Sequence, residues 1–389
     1  MRILNINEIY RGDAEQSVVF ITGVSGQDGS HMVDYLLQNT DALIFGGARR
    51  LSVENHDNIK HLENEDRFSV VNFDLTDSHS IYKLVEILRP NYFINFAAQS
   101  FVASSWDFAR QTWETNSTAV LDCLEAIHRF VPYCRFYNAG SSEEFGNVSY
   151  TPQDENHPAK PRSPYGASKC AARTLVKVYR ESYGLYAVQG WLYNHEGERR
   201  GKEFVTRKIT QGVAKIKKTL KGGGTPTPIE IGNINAKRDW SYAPDFMDAV
   251  WRMLNQDKYN ESILPAYTFS KYMTNASGYF KEELVPKIKD YVVSSGETHT
   301  IREFVEEAFR VADIDGTWVG HGVGENYMTT INDKIYCLVS INPIYYRPAE
   351  VDVLQGNSSK IRDGLGWKPK TSFKELVKLM VDHDIKLLE

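Results

Sequence analysis

The segment SPYGASK, Ser163 to Lys169, sets a tyrosine and a lysine four residues apart, which on a helix stacks them on one face. A phenol ordinarily ionises near pH 10, and an ammonium held beside it favours phenolate, bringing the group toward general-base work. An isolated Tyr-x-x-x-Lys is equally what a surface helix offers, with the tyrosine packed and the lysine in water. Context decides. Ser141, Ser142 and Glu143 lie upstream, at the end of an apolar run, RFYNAGSSEEFG, that reads as a strand. Glu143 beside Glu144 would alone be surface charge. Placed at the carboxyl edge of a parallel sheet with Tyr165 and Lys169, a hydroxyl, a carboxylate, a phenol and an ammonium converge on one carbon.

The elements that must hold these groups alternate. Val18 to Thr22 reads as a strand, followed by a glycine turn and a helix that turns Met32, Val33, Leu36 and Leu37 inward. ALIFGGARR is a second strand, FSVVNFDLTD a third, YFINFAAQS a fourth and RFYNAGSSEEFG a fifth, with IYKLVEILRP and AVLDCLEAIHRF helical between them. The expected fold class is α/β, a Rossmann-type doubly wound parallel sheet with a smaller C-terminal substrate-binding lobe. Residues 17–190 plus about 228–257 are assigned to the dinucleotide domain, and about 191–227 and 290–389 to the second lobe. A Tyr-, Lys- and Glu-rich stretch at about 258–289 reads as an insertion.

Gly23, Gly26 and Gly29 fall directly after the first strand, where missing side chains let backbone N–H groups and a helix N-terminus approach a pyrophosphate. The turn Gly23, Val24, Ser25, Gly26, Gln27, Asp28 is the expected cradle. Such folds usually end the second strand in an acid that bonds a ribose; here Ala48, Arg49 and Arg50 stand there, which favours a 2′-phosphate and hence NADP. Asp74 and Leu75, ending the third strand, are candidates for the adenine edge, with a helix cap as the plain reading of Asp74.

Composition excludes several classes. With 389 residues, 42% hydrophobic and 24% charged, the chain has the make-up of a globular enzyme. A formal net charge of −5 gives no electrostatic ground for a nucleic-acid partner. Arg2, Glu8, Arg11 and Asp13 stand where a signal peptide needs an apolar run, and no long apolar stretch follows, so a cytoplasmic protein without membrane contact is expected. Cys123, Cys134, Cys170 and Cys337 lack metal-site spacing and read as reduced core residues; no metal is called for.

The blocks ITGVSGQDGS, FAAQSFV, GSSEEFG, SPYGASK, YNHEGERRGKEFVTRKIT, GNINAKRDW, YYRPAEVD and LGWKPKTSFKELV occur in this order, and together they resemble the GDP-mannose 4,6-dehydratases of the extended short-chain dehydrogenase/reductase family. The likeness covers nearly the whole chain except the first 16 or so residues and the insertion. It implies NADP recycled within one turnover, GDP-mannose as substrate, and GDP-4-keto-6-deoxymannose as product. It further implies Tyr165 as base at the sugar 4-hydroxyl, Ser141 as hydrogen-bonding partner there, Lys169 as the charge that shifts Tyr165, and Glu143 as the group that takes the C5 proton and assists loss of water. Phe96, Ala97, Ala98, Gln99 and Ser100, with Tyr165, Lys169, His195 and Arg200, are implied on the cofactor; Ser141, Asn194, Val205, Lys208, Arg238, Arg347 and Glu350 on the substrate. Arg238 has an ion pair with Asp239 as its alternative. A homodimer or homotetramer is implied as well.

Departures from the pattern stand out. Ser141 replaces a threonine, Phe101 a histidine, and Glu144 an apolar residue; strand alternation leads us to expect Glu144 to point away from Glu143. Leu51 and Val53 make the loop after Arg50 less polar, and the insertion has no counterpart. The competing readings are a dehydratase of another nucleotide sugar, a C4 epimerase, and a silent NADP-binding protein that senses cofactor ratio. The paired Tyr165 and Lys169 argue against the last.

Overall fold

Short apolar runs form the strands of this computed structural model, which describes residues 3–9, 16–50, 55–259, 287–346 and 353–389. β1 (Ile3–Leu4), β2 (Val18–Thr22), β3 (Leu43–Ala48), β4 (Phe68–Asn72), β5 (Tyr92–Asn95), β6 (Arg135–Ala139), β7 (Ala187–Leu192) and a further strand, Tyr291–Val293, make an eight-stranded sheet. All its pairings are parallel, in the order β1-β4-β3-β2-β5-β6-β7 and then Tyr291–Val293. A parallel sheet needs cover on both faces, and β2 and β7 accordingly bury every residue.

Alternation along β2 divides the core. Val19 and Ile21 face α1 (Gln27–Asn39), through Met32, Val33 and Leu36, and a later helix, Ala243–Leu254. Val18 and Phe20 face α2 (Ser78–Leu88) and two later helices, Ala119–Phe130 and Pro164–Tyr183. The strand order reverses between β2 and β5, and a crevice opens at the carboxyl ends there. A second core joins Ile209, Val213 and Ile216 of the helix Val205–Lys221 to Phe304, Leu338, Val339, Leu376 and Met380. Its four-stranded sheet includes Ile229–Ile231, whereas Ile361, Leu365 and Trp367 pack with the core under the large sheet.

One part of the chain that sequence leaves unassigned has a structural role. The N-terminal extension supplies β1, which pairs Ile3 with Val70 and Leu4 with Val71 at the sheet edge. Gln256, just before the inserted stretch, meets Lys289 at its far end: Gln256 Nε2 donates to the Lys289 carbonyl at 2.8 Å and Lys289 N–H donates to Gln256 Oε1 at 3.0 Å. Residues 260–286 of that stretch, Leu51 and Val53, and Arg347 and Glu350 lie outside the described residues. No helix among the described residues is long and apolar enough to cross a membrane. Cys123 and Cys134 are buried and Cys170 and Cys337 half-buried, all as free thiols.

Candidate active site

At the end of β2 the chain turns on Gly23, whose φ of +68° suits glycine. A Cβ there would sit 2.9 Å from the Ala97 nitrogen, and one on Gly29 would sit 2.4 Å from the Gly23 carbonyl. The first glycine therefore lets β2 and the end of β5 approach, and the second lets α1 close on the turn. In front lies a cleft of about 1460 Å³ lined by Gly23, Ser25, Gly26, Gln27, Asp28, Arg49, Arg50, Asp74, Leu75, Phe96, Ala97, Ala98, Gln99, Ser100 and Arg200. Val24 is wholly buried behind the turn, packed under Gly46. Asp74 spends one oxygen on Thr76, accepting from its N–H and its hydroxyl, while Asp77 caps α2.

His195 stands behind the cradle rather than in the cleft. Its Nδ1 faces the Tyr193 carbonyl at 2.7 Å and its Nε2 faces Asp28 Oδ2 at 2.9 Å. Both ring nitrogens thus meet acceptors. Burial alone would lower its pKa, but the Asp28 charge and hydrogen bond raise it, and the imidazolium in turn holds Asp28 far below the carboxylate range despite burial. Arg200 pairs with buried Glu196 at 3.0 Å and lies over the Phe204 ring at 3.5 Å. Phe101 meets the same ring edge-on at 5.8 Å, an apolar contact at the position where it replaces the histidine of the resembled pattern.

Past the cleft, β6 runs into a single 3-10 turn, Ser142–Glu144, with Ser141 as its cap. Ser141 Oγ accepts from the Glu143 N–H at 3.2 Å, and the hydroxyl favours the phenolate form of Tyr165. The long helix Pro164–Tyr183 starts here because Ser163 accepts the Gly166 N–H and Pro164 fits the first turn. Gly166 has no side chain where a Cβ would meet the Glu143 carbonyl at 2.7 Å, which lets the helix start press on the turn. Glu143 is half-buried; Ser141, Tyr165 and Lys169 are buried.

One expectation about the pair is not met. Lys169 Nζ donates to the Ala139 carbonyl at 2.7 Å and lies 5.8 Å from the Tyr165 ring centre. Burial lifts the Tyr165 phenol to about 12, outweighing the Ser141 hydroxyl, and depresses the Lys169 ammonium to about 8. Strand alternation, the ground for expecting Glu144 to point away from Glu143, does not apply inside a 3-10 turn; the side chain folds back under Gly140 with no exposure and meets Arg173 at 2.8 Å, while Glu143 is half-buried.

The substrate-side residues are spread over the second lobe's edge. Asn194 pairs with Trp240 across two short strands, and Val205 opens the helix whose Lys208 lies 3.6 Å over the Tyr345 ring. Arg238 is buried, with Nη1 donating to the Lys237 carbonyl. Asp239, its suggested partner, accepts instead from Ser295 N–H and hydroxyl and from the Gly296 and Gly356 N–H groups.

A parallel sheet in this order, with a glycine turn at its reversal and a Ser–Tyr–Lys corner beside it, is the architecture of the extended short-chain dehydrogenases/reductases. Among solved structures, dTDP-glucose 4,6-dehydratase of Bacillus anthracis in complex with NAD superposes with a TM-score of 0.70 at 18% identity, covering 95% of this chain and 97% of that one. That likeness is one of fold. Residues 20–288 and 280–380 match the sequence model of the family described as GDP-mannose 4,6 dehydratase. The chain is 40% identical to GDP-mannose 4,6 dehydratase of Drosophila melanogaster, over 97% of this chain and 88% of the relative, and 37% identical to that of Homo sapiens, over 97% and 95%. The chain belongs to the GDP-mannose 4,6 dehydratase family.

Proposed function

We propose that this protein dehydrates GDP-mannose to GDP-4-keto-6-deoxymannose with NADP as a resident cofactor. The observation that carries the reading is the Ser141-capped turn bearing Glu143, pressed at Gly166 against the start of the helix that carries buried Tyr165 and Lys169, together with the glycine cradle. The residues fit NADP: Cβ atoms would fill the cradle at Gly23 and Gly29, and exposed Arg49 and Arg50 line the cleft where a ribose-binding acid would otherwise stand. When bound, NADP supplies a hydride acceptor that gives the hydride back within the turnover, and a cationic ring whose charge opposes burial at Tyr165. Tyr165 takes the proton of the sugar 4-hydroxyl, and Ser141 hydrogen-bonds the oxygen that becomes the ketone. The ketone acidifies C5; Glu143 removes that proton and delivers one to the departing 6-hydroxyl.

Asn194, Val205, Lys208, Arg238, Arg347 and Glu350 hold the GDP moiety in this reading, with arginine forks on phosphate oxygens and Glu350 on ribose hydroxyls. The NADP domain is the large sheet with its helices, residues 17–190 with Ala243–Leu254 and Tyr291–Val293, and not the bounds expected from sequence. Ile229–Ile231 joins the sheet of the nucleotide-sugar lobe, while Tyr291–Val293 and Ile361, Leu365 and Trp367 belong with the large sheet. Exposed Trp106, Phe108 and Trp113 support a homodimer or homotetramer.

Purified protein given GDP-mannose is expected to yield a 4-keto product without added oxidant. Consumption of dTDP-glucose with GDP-mannose ignored would contradict the substrate assignment. Arg49→Ala is expected to weaken NADP by about 10- to 100-fold while leaving NAD nearly unchanged, the range for a hydrogen bond to a charged group. Titration of both nucleotides checks this, and equal losses would remove Arg49 from the 2′-phosphate.

A further inference from the structure

Glu144 takes no part in the chemistry proposed above, yet its carboxylate is fully buried one residue from Glu143. It accepts three N–H groups: Ser141 N–H at 3.0 Å and Gln189 Nε2 at 3.0 Å on Oε1, and Arg173 Nε at 2.8 Å on Oε2. Gly140 makes room for it, since a Cβ there would lie 2.8 Å from Glu144 Oε1 and 2.6 Å from Gln189 Nε2. From Gln189 a row of side chains runs back across the sheet. Asn138 Nδ2 donates to Gln189 Oε1 at 2.6 Å, Asn95 Nδ2 to Asn138 Oδ1 at 2.9 Å, and Thr22 Oγ1 to Asn95 Oδ1 at 2.6 Å. Thr22 Oγ1 then accepts the Ala97 N–H at 2.9 Å. Strand register sets this row, because Thr22 stands opposite Asn95, Asn95 opposite Asn138, and Asn138 opposite Gln189. All four are buried.

Each amide in the row has two orientations, and an ionised carboxylate, which only accepts, selects one. With Gln189 forced to present its NH2 to Glu144, the direction of every later hydrogen bond follows. The Thr22 proton is then committed to Asn95, leaving a lone pair for Ala97, the residue whose nitrogen Gly23 approaches in the cofactor cleft. We propose that Glu144 is a positioning residue with two ends: it holds the Ser141–Glu143 turn and, by fixing the direction of this row, holds the Ala97 edge of the cofactor cleft. The proposal rests on the functional reading above.

Burial raises the Glu144 carboxyl to about 7 against the opposing Arg173 charge and Ser141 N–H. The other titratable groups facing it are Tyr137 on β6 and Tyr165, Lys169 and Cys170 on the helix Pro164–Tyr183, with Glu143 beside it in the turn. Glu144→Gln offers one acceptor to three donors, so at least one N–H is opposed by an NH2. The variant is expected to lose roughly 10- to 100-fold in kcat, the scale of a displaced reacting group, and to bind NADP about tenfold more weakly. The parent's NADP affinity is expected to fall as pH drops through about 7, and the variant's to lose that step. Gln189→Leu cuts the row while leaving the Arg173 ion pair, and is expected to weaken NADP without a comparable loss in kcat; it decides the matter if Glu144→Gln does not fold. Unchanged NADP affinity in either folded variant overturns the proposal. A parent that ignores GDP-mannose would instead overturn the functional reading and leave the NADP titrations to report on Glu144.

Discussion

Tyr165→Phe lowers kcat for GDP-mannose by about 100-fold or more, the lower end of what a positioned acid–base group contributes. The substitution keeps the buried ring and removes one hydroxyl, and loss of a single neutral hydrogen bond costs about 1 kcal/mol of stability at most. Loss of rate therefore cannot be charged to unfolding, and a thermal melt on the same sample verifies that. The phenol's high pKa sharpens the prediction. Burial keeps it protonated in the protein itself, so its use as a base depends on positive charge gathered around it. A variant with the parent's rate would remove the phenol from the reaction.

Glu143→Gln separates the two halves of the chemistry. The amide cannot take the C5 proton, so water loss falls by about 100-fold or more while oxidation at C4 continues. Reduced nicotinamide then accumulates on addition of GDP-mannose and persists, readable by its absorbance, whereas the parent returns to the oxidised form. Full dehydration by the variant would move the base elsewhere. Glu143 is half-buried, on the turn that Ser141 caps.

Much of this was legible in the residues. β2 spans Val18–Thr22 and the helix Ala119–Phe130 matches its apolar period, since strands covered on both faces read as continuous apolar runs. SPYGASK announced a helix start through Ser163 and Pro164 as well as a reactive pair. What sequence did not convey was direction. Spacing puts Tyr165 and Lys169 on one face, but the Ala139 carbonyl claims the ammonium. Strand geometry does not govern Glu144, because the chain has already left the strand there. Thr22, Asn95, Asn138 and Gln189 do leave a signal, as polar residues within buried apolar strands, and only the register shows that they form a row. β1 could not be read from two residues, because its place is set by the open edge of β4.

The most direct measurement uses GDP-mannose carrying deuterium at C4, with the product's label located by NMR and mass spectrometry. An internal hydride relay predicts deuterium at C6, one solvent proton at C5 and the loss of one water. Deuterium released to solvent, or kept at C4 with the 6-hydroxyl intact, would contradict it.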